Sequence, residues 1–178
     1  MATIMTIELE SMAMEMPEVD GHPNREAFRG VLTLVDMVSD RPPTGARGHR
    51  VVLTRAAAET GLPSLLGMAL DYAPSLDRHD VRRKVGVITR AEIVGRSLEV
   101  GGHMFAKDFP EIVREIAGGE WDGLRSAQRR LGMSYEVTDT RVADLKASIW
   151  TLTRVVFTGA AILRREKAAY RDTWIEMT

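Results

Sequence analysis

Lys84-Val85-Gly86-Val87-Ile88-Thr89, followed by Ala91-Glu92-Ile93-Val94-Gly95-Arg96-Ser97-Leu98-Glu99-Val100-Gly101-Gly102-His103-Met104-Phe105, decides the fold. It reads as a strand, a tight glycine-containing turn and a second strand. Further along, Leu131-Gly132-Met133-Ser134-Tyr135-Glu136-Val137 has a period of two. Met133, Tyr135 and Val137 fall on one face and Ser134 and Glu136 on the other. A late strand follows in Ile149-Trp150-Thr151-Leu152-Thr153-Arg154-Val155-Val156-Phe157-Thr158-Gly159-Ala160-Ala161-Ile162. The segments 85–89, 98–105, 131–137 and 149–158 are therefore expected in one predominantly antiparallel sheet or barrel.

Around these strands, Ala27 to Val38 reads as a first buried strand and Val51-Val52-Leu53 as a short one. Thr54 has the chemistry of an N-cap for a helix through Ala56-Ala57-Ala58-Glu59. Leu62, Leu65, Leu66 and Met68 are expected in a further helical turn or two, and residues 71–80 in a loop that delivers His79. In Lys107-Asp108-Phe109-Pro110-Glu111, Asp108 is the expected N-cap of a helix with Pro110 in its first turn. Phe109, Ile112, Val113 and Ile116 form its apolar face, and Gly118-Gly119 end it. Trp121 to Arg130 is a polar connection. Without a regular βαβ alternation, the fold class is α+β: a mainly antiparallel, barrel-like β-core with flanking helices.

The chain has 178 residues, 44% hydrophobic and 28% charged, enough for one compact domain with a core and too short for two. Residues 1–25 lack a sustained period and end in Pro17, Gly21 and Pro23, so they read as a loosely held leader before a single domain over 26–178. That leader has no basic n-region and carries Glu8, Glu10 and Glu15, which excludes a signal peptide or membrane span within it. The net charge of −1 provides no electrostatic footprint for nucleic acid. No cysteine is present, so disulfides, a thiolate nucleophile and Cys-ligated zinc are all excluded. The expectation is a cytoplasmic protein without a cofactor.

The chemistry centres on Asp77-Arg78-His79-Asp80 and the Ser134 segment. A histidine and a serine brought together by a β-scaffold are the minimum set for acyl transfer, the imidazole taking a proton and the hydroxyl attacking a carbonyl. The competing reading makes Ser134 a small residue on an exposed strand face and His79 a loop histidine paired with Asp77 or Asp80. His103, alternating outward on its strand, is the rival base. Asp77, His79, Asp80 and His103 would have to converge to hold a metal, which three ligands within four residues rarely do.

The succession of a histidine before the Val85-Gly86-Val87 strand, the glycine-turn hairpin, the Leu131–Val137 segment and the late strand resembles the prohead (capsid maturation) serine proteases of tailed bacteriophages, relatives of herpesvirus assemblin. The resemblance runs from about Phe28 to Tyr170. It implies a β-barrel-like core, Ser134 as nucleophile and His79 as general base, with an oxyanion donor from a backbone N–H near the serine or in the Arg129-Arg130 connection. It further implies cleavage of scaffold segments of the major capsid protein, and of the chain itself, in a prohead within the host cytoplasm, and a possible homodimer. In that family an acid or second histidine heads the late strand. Matching Arg154-Val155-Val156-Phe157-Thr158 to it puts Arg154 there, and a cation cannot stabilise an imidazolium. Glu136, Asp80 and Thr153 are the substitutes, Glu136 first because it shares a face with Ser134 about 7 Å along the strand. A non-catalytic capsid-assembly factor that keeps the fold is the alternative, and a small-molecule-binding barrel has no specific feature behind it.

Overall fold

The computed structural model describes residues 21–118 and 131–178. Its strands are β1 (Glu26–Leu34), β2 (Arg50–Leu53), β3 (Ala69–Tyr72), β4 (Lys84–Val94), β5 (Ser97–Met104), β6 (Leu131–Val142), β7 (Ile149–Arg164) and β8 (Trp174–Met177). Two short helices, α1 (Arg55–Gly61) and α2 (Pro110–Ala117), accompany them. The strands form one sheet in the order β2-β7-β3-β4-β5-β1-β8, with β6 on the other edge of β7. The pairs β1/β5, β1/β8, β3/β4, β4/β5 and β6/β7 are antiparallel, whereas β2 and β3 run parallel to β7. The expected antiparallel core is thus a mixed sheet, because β2 and β3 reach the same edge of the long β7 from distant parts of the chain.

Alternation within each strand explains why the sheet curls. Phe28 and Leu32 of β1, Ile88 of β4, Leu98 and Val100 of β5, Met133 of β6 and Ile162 of β7 all lie in one buried cluster. To bury that common face without a second sheet, the strands wrap around it. The wrap brings β1 against β6, so a Cβ on Gly30 would sit 2.8 Å from Met133 Sδ. Just before β8, Thr173 Oγ1 accepts from Met133 N at 3.2 Å and donates to Tyr170 O at 2.9 Å, which ties the two sheet ends together.

The local expectations held at α1, where Thr54 Oγ1 accepts from Ala57 N at 3.2 Å. They failed at the start of α2. The residue preceding the helix is Phe109, with no side-chain cap, and the Asp108 carboxylate instead accepts from Asn24 Nδ2 at 2.7 Å. Asn24 Oδ1 in turn accepts from Lys107 N at 2.8 Å, holding the turn one residue too early for Asp108 to cap. The apolar stripe is as expected, with Ile112 and Ile116 buried and Phe109 and Val113 packed against the core. β1 ends at Leu34 rather than Val38: the chain turns through Asp36 at φ 53°, whose carboxylate accepts from Arg55 N at 2.9 Å. The helical turn expected around Leu62 to Met68 is present as a 3-10 turn over Leu62–Leu65. β3 and β8 were not anticipated, β3 following that turn and running into the start of the expected 71–80 loop. The expected connection from Trp121 to Arg130 and most of the leader lie outside the described residues. No helix among the described residues is long and apolar enough to cross a membrane.

Candidate active site

Ser134 on β6 pairs with Ala161 on β7, and Ala161 pairs with Asp71 on β3. Residues paired across neighbouring strands share a face, so Asp71, Ala161 and Ser134 form one row across three strands, spanning about 10 Å. The neighbours of that row point the other way. Leu70, Tyr72, Met133, Ala160 and Ile162 belong to the buried core, and Tyr135 packs against it. The core side chains thus point inward, and the opposite face carries Asp71, Ser134 and Glu136 beside a small apolar cluster of Ala161, Leu163 and Ala168.

The loop from 73 to 83 brings His79 to this face. His79 Nδ1 lies 3.5 Å from Glu136 Oε1 and 3.7 Å from Asp71 Oδ2. Asp71 is fully buried, and its Oδ1 accepts from the backbone N–H of Asp80 at 3.0 Å. Lys84 Nζ stands 3.7 Å from the same Oδ2. Neither Asp71 Oδ2 nor His79 Nδ1 has a hydrogen-bond partner among the described residues, so two buried polar atoms face one another at ion-pair distance. His79 and Ser134 both line a cleft of about 810 Å³, with Asp77, Arg78, Glu136 and Lys167 beside them, and the cleft runs on to Pro42, Pro43, Leu145 and Trp150. With Nδ1 turned to the carboxylates, Nε2 on the other side of the ring is the nitrogen that can serve a nucleophile.

The structure brings together His79, Ser134 and Glu136 and separates the other candidates. Asp80 Oδ1 accepts from Arg82 N at 3.1 Å, and its Oδ2 faces Arg83 at 3.8 Å. Thr153 Oγ1 donates to Arg141 O at 3.3 Å, near the far end of the β6–β7 ladder. Arg154 does not stand at the imidazole: it pairs with Arg141, whereas Glu136 pairs with Gly159. From Ala161 back to Arg154 is seven residues, about 23 Å of strand. Matching residue types along β7 misplaced it because the register is set by backbone pairing with β6. Gly159 itself matters here, since a Cβ on it would lie 3.0 Å from Glu136 Oε2; the carboxylate occupies the space above the bare strand.

His103 is on β5 between Ala27 of β1 and Val87 of β4, edge-on to Phe105, and does not line the cleft. Burial, with Arg25 and His22 nearby, holds its pKa below the ordinary value. Asp77 has its own partner in Ser75, whose hydroxyl pulls the carboxyl below its usual range. The four residues of the metal reading are thus dispersed, and the described residues contain no group of three or more His, Cys, Asp or Glu able to hold an ion.

Asp71 was not among the sequence candidates. Its signal was an isolated carboxylate between the apolar Leu70 and Tyr72, eight positions before His79. The Arg129-Arg130 oxyanion candidates lie outside the described residues. No protein-family model matches the chain, and no curated protein matches it.

Proposed function

We propose that the protein is a serine endopeptidase of the capsid-maturation type, cutting scaffold segments of a capsid protein, and its own leader, inside an assembling prohead in the host cytoplasm. The observation that carries this reading is the shared cleft of Ser134 and His79, with the histidine's Nδ1 facing carboxylates. Ser134 Oγ attacks the scissile carbonyl while its proton passes to His79 Nε2, and a carboxylate at Nδ1 stabilises the imidazolium. The C–N bond then breaks, Nε2 returns the proton to the leaving amine, and water, deprotonated by the same nitrogen, releases the acyl group. A backbone N–H near the serine is the donor to the oxyanion. A homodimer belongs to the same proposal.

One observation favours the second reading, a capsid-assembly factor that binds without cutting: His79 Nδ1 has no hydrogen-bond partner among the described residues, the carboxylates standing 3.5 and 3.7 Å away. Co-expression with the cognate capsid protein separates the two. The peptidase yields trimmed capsid protein, and Ser134→Ala abolishes trimming while leaving the thermal transition in place, since losing the nucleophile of a triad costs orders of magnitude in rate. Untrimmed capsid protein beside wild-type chain, with proheads that fail to form without the chain, establishes the assembly factor instead.

A further inference from the structure

Two carboxylates face the same nitrogen of His79, and they are not equivalent. The Glu136 side chain is 43% exposed, whereas that of Asp71 is 0% exposed. A charge out of water is screened far less by solvent and salt, so at similar distance the buried group exerts the larger effect on an imidazolium. Asp71 is also held from several sides. β3 is paired on one edge with β4 and on the other with β7, and Asp71 Oδ1 accepts from Asp80 N, in the loop that carries His79.

We propose that Asp71, rather than Glu136, is the positioning residue for His79; the inference rests on the peptidase reading above. One oxygen of this carboxylate fastens the loop, and the other turns the ring so that Nε2 is presented to Ser134. The row Asp71, Ala161, Ser134 supports the assignment independently of the ion-pair distances. Its middle member carries only a methyl group, which leaves the gap between acid and nucleophile open to an imidazole. Oδ2 has no hydrogen-bond partner among the described residues, so it is free to accept from Nδ1–H when the ring becomes charged. No proton passes to Asp71 in this step, and Lys84 shares Oδ2 with the imidazole at 3.7 Å.

The test uses the full chain, a fluorophosphonate probe that labels activated serines, and the NMR resonance of the His79 Nδ1–H proton, which moves downfield as its hydrogen bond to a carboxylate strengthens. Asp71→Asn should slow labelling of Ser134 by about 10²- to 10⁴-fold and move the resonance upfield, and Asp71→Glu should restore part of both. Glu136→Gln should change labelling by less than about tenfold, as expected of a solvent-screened group. Lys84→Gln, which removes the competing cation and leaves Asp71 intact, should move the resonance downfield, and it decides the matter should Asp71→Asn fail to fold. An equal or larger loss in Glu136→Gln, or a resonance indifferent to both Asp71→Asn and Lys84→Gln, overturns the assignment. If the wild-type serine is never labelled, the peptidase reading has failed, and the resonance still decides whether Asp71 holds the ring.

Discussion

The register that turns Ser134 and Glu136 toward the site must bury Tyr135, because successive side chains on a strand point to opposite faces. A one-residue slip would reverse all three. The ionisation of Tyr135 therefore reads the site from behind. The residue as a whole is half-buried, but its phenol lies inside beside Thr33, and burial pushes the pKa from 10.0 up to about 12. The same test extends to Tyr72, next to Asp71, whose hydroxyl is raised first by burial and then by the Glu111 carboxylate it donates to. Tyr170 donates to Met37 O at 3.1 Å and Val51 O at 3.3 Å, and burial raises it too. These are all three tyrosines of the chain.

A folded-state pKa above the unfolded value contributes stability that is complete below the unfolded value and is lost as pH rises through the folded one. For Tyr135 the window runs from pH 10 to about 12, and the full difference corresponds to on the order of 3 kcal/mol. Phenolate absorbance measured against pH, in buffer and in denaturant, tests this directly. In denaturant all three phenols should ionise near pH 10; in the folded protein little phenolate should form there, and the signal should appear only as the fold gives way. Tyr135→Phe should lessen the loss of stability across the window. A folded protein in which Tyr135, identified by its absence in Tyr135→Phe, ionises at about pH 10 would show that the phenol faces water, and the placement of Ser134 and Glu136 at the cleft would fall with it.

Two further outcomes follow from the fold. Thr173→Val should destabilise by about 1–3 kcal/mol in urea unfolding, because it strands the buried Met133 N–H that Thr173 Oγ1 accepts from, whereas Thr173→Ser should restore most of the loss; equal stability in all three proteins would refute the tie between β6 and the β8 end. The lowered pKa of His103 means that the unfolded chain takes up its proton first as pH falls below about 6.5, so stability should decline toward pH 5 and His103→Asn should flatten that decline; parallel pH curves for the two proteins would count against its burial.

Part of this architecture was legible residue by residue. The alternation of Met133, Ser134, Tyr135 and Glu136 assigned the two faces of β6, and the glycine turn at Gly95 defined the β4–β5 hairpin. Both are local: the pleat and the tight turn are properties of a few consecutive residues. Thr54 and the Ile112/Ile116 stripe were readable for the same reason. Asp108 was misread because its amide and carboxylate are held by Asn24, a residue 84 positions away.

What only the tertiary structure decided is pairing. β3 has four residues beside a proline-containing loop, too few to show a period, and it becomes a strand because β4 and β7 supply its hydrogen bonds. Its assignment is what places Asp71 behind His79. The β6–β7 register likewise removed Arg154 from the site and set Glu136 over Gly159. The amino-acid order alone determined which side of each strand its side chains occupy, because that follows from the backbone's own geometry. Which residues stand opposite one another across strands depended on the whole buried face closing at once, and it is that closure that brings a carboxylate, an imidazole and a hydroxyl to one cleft.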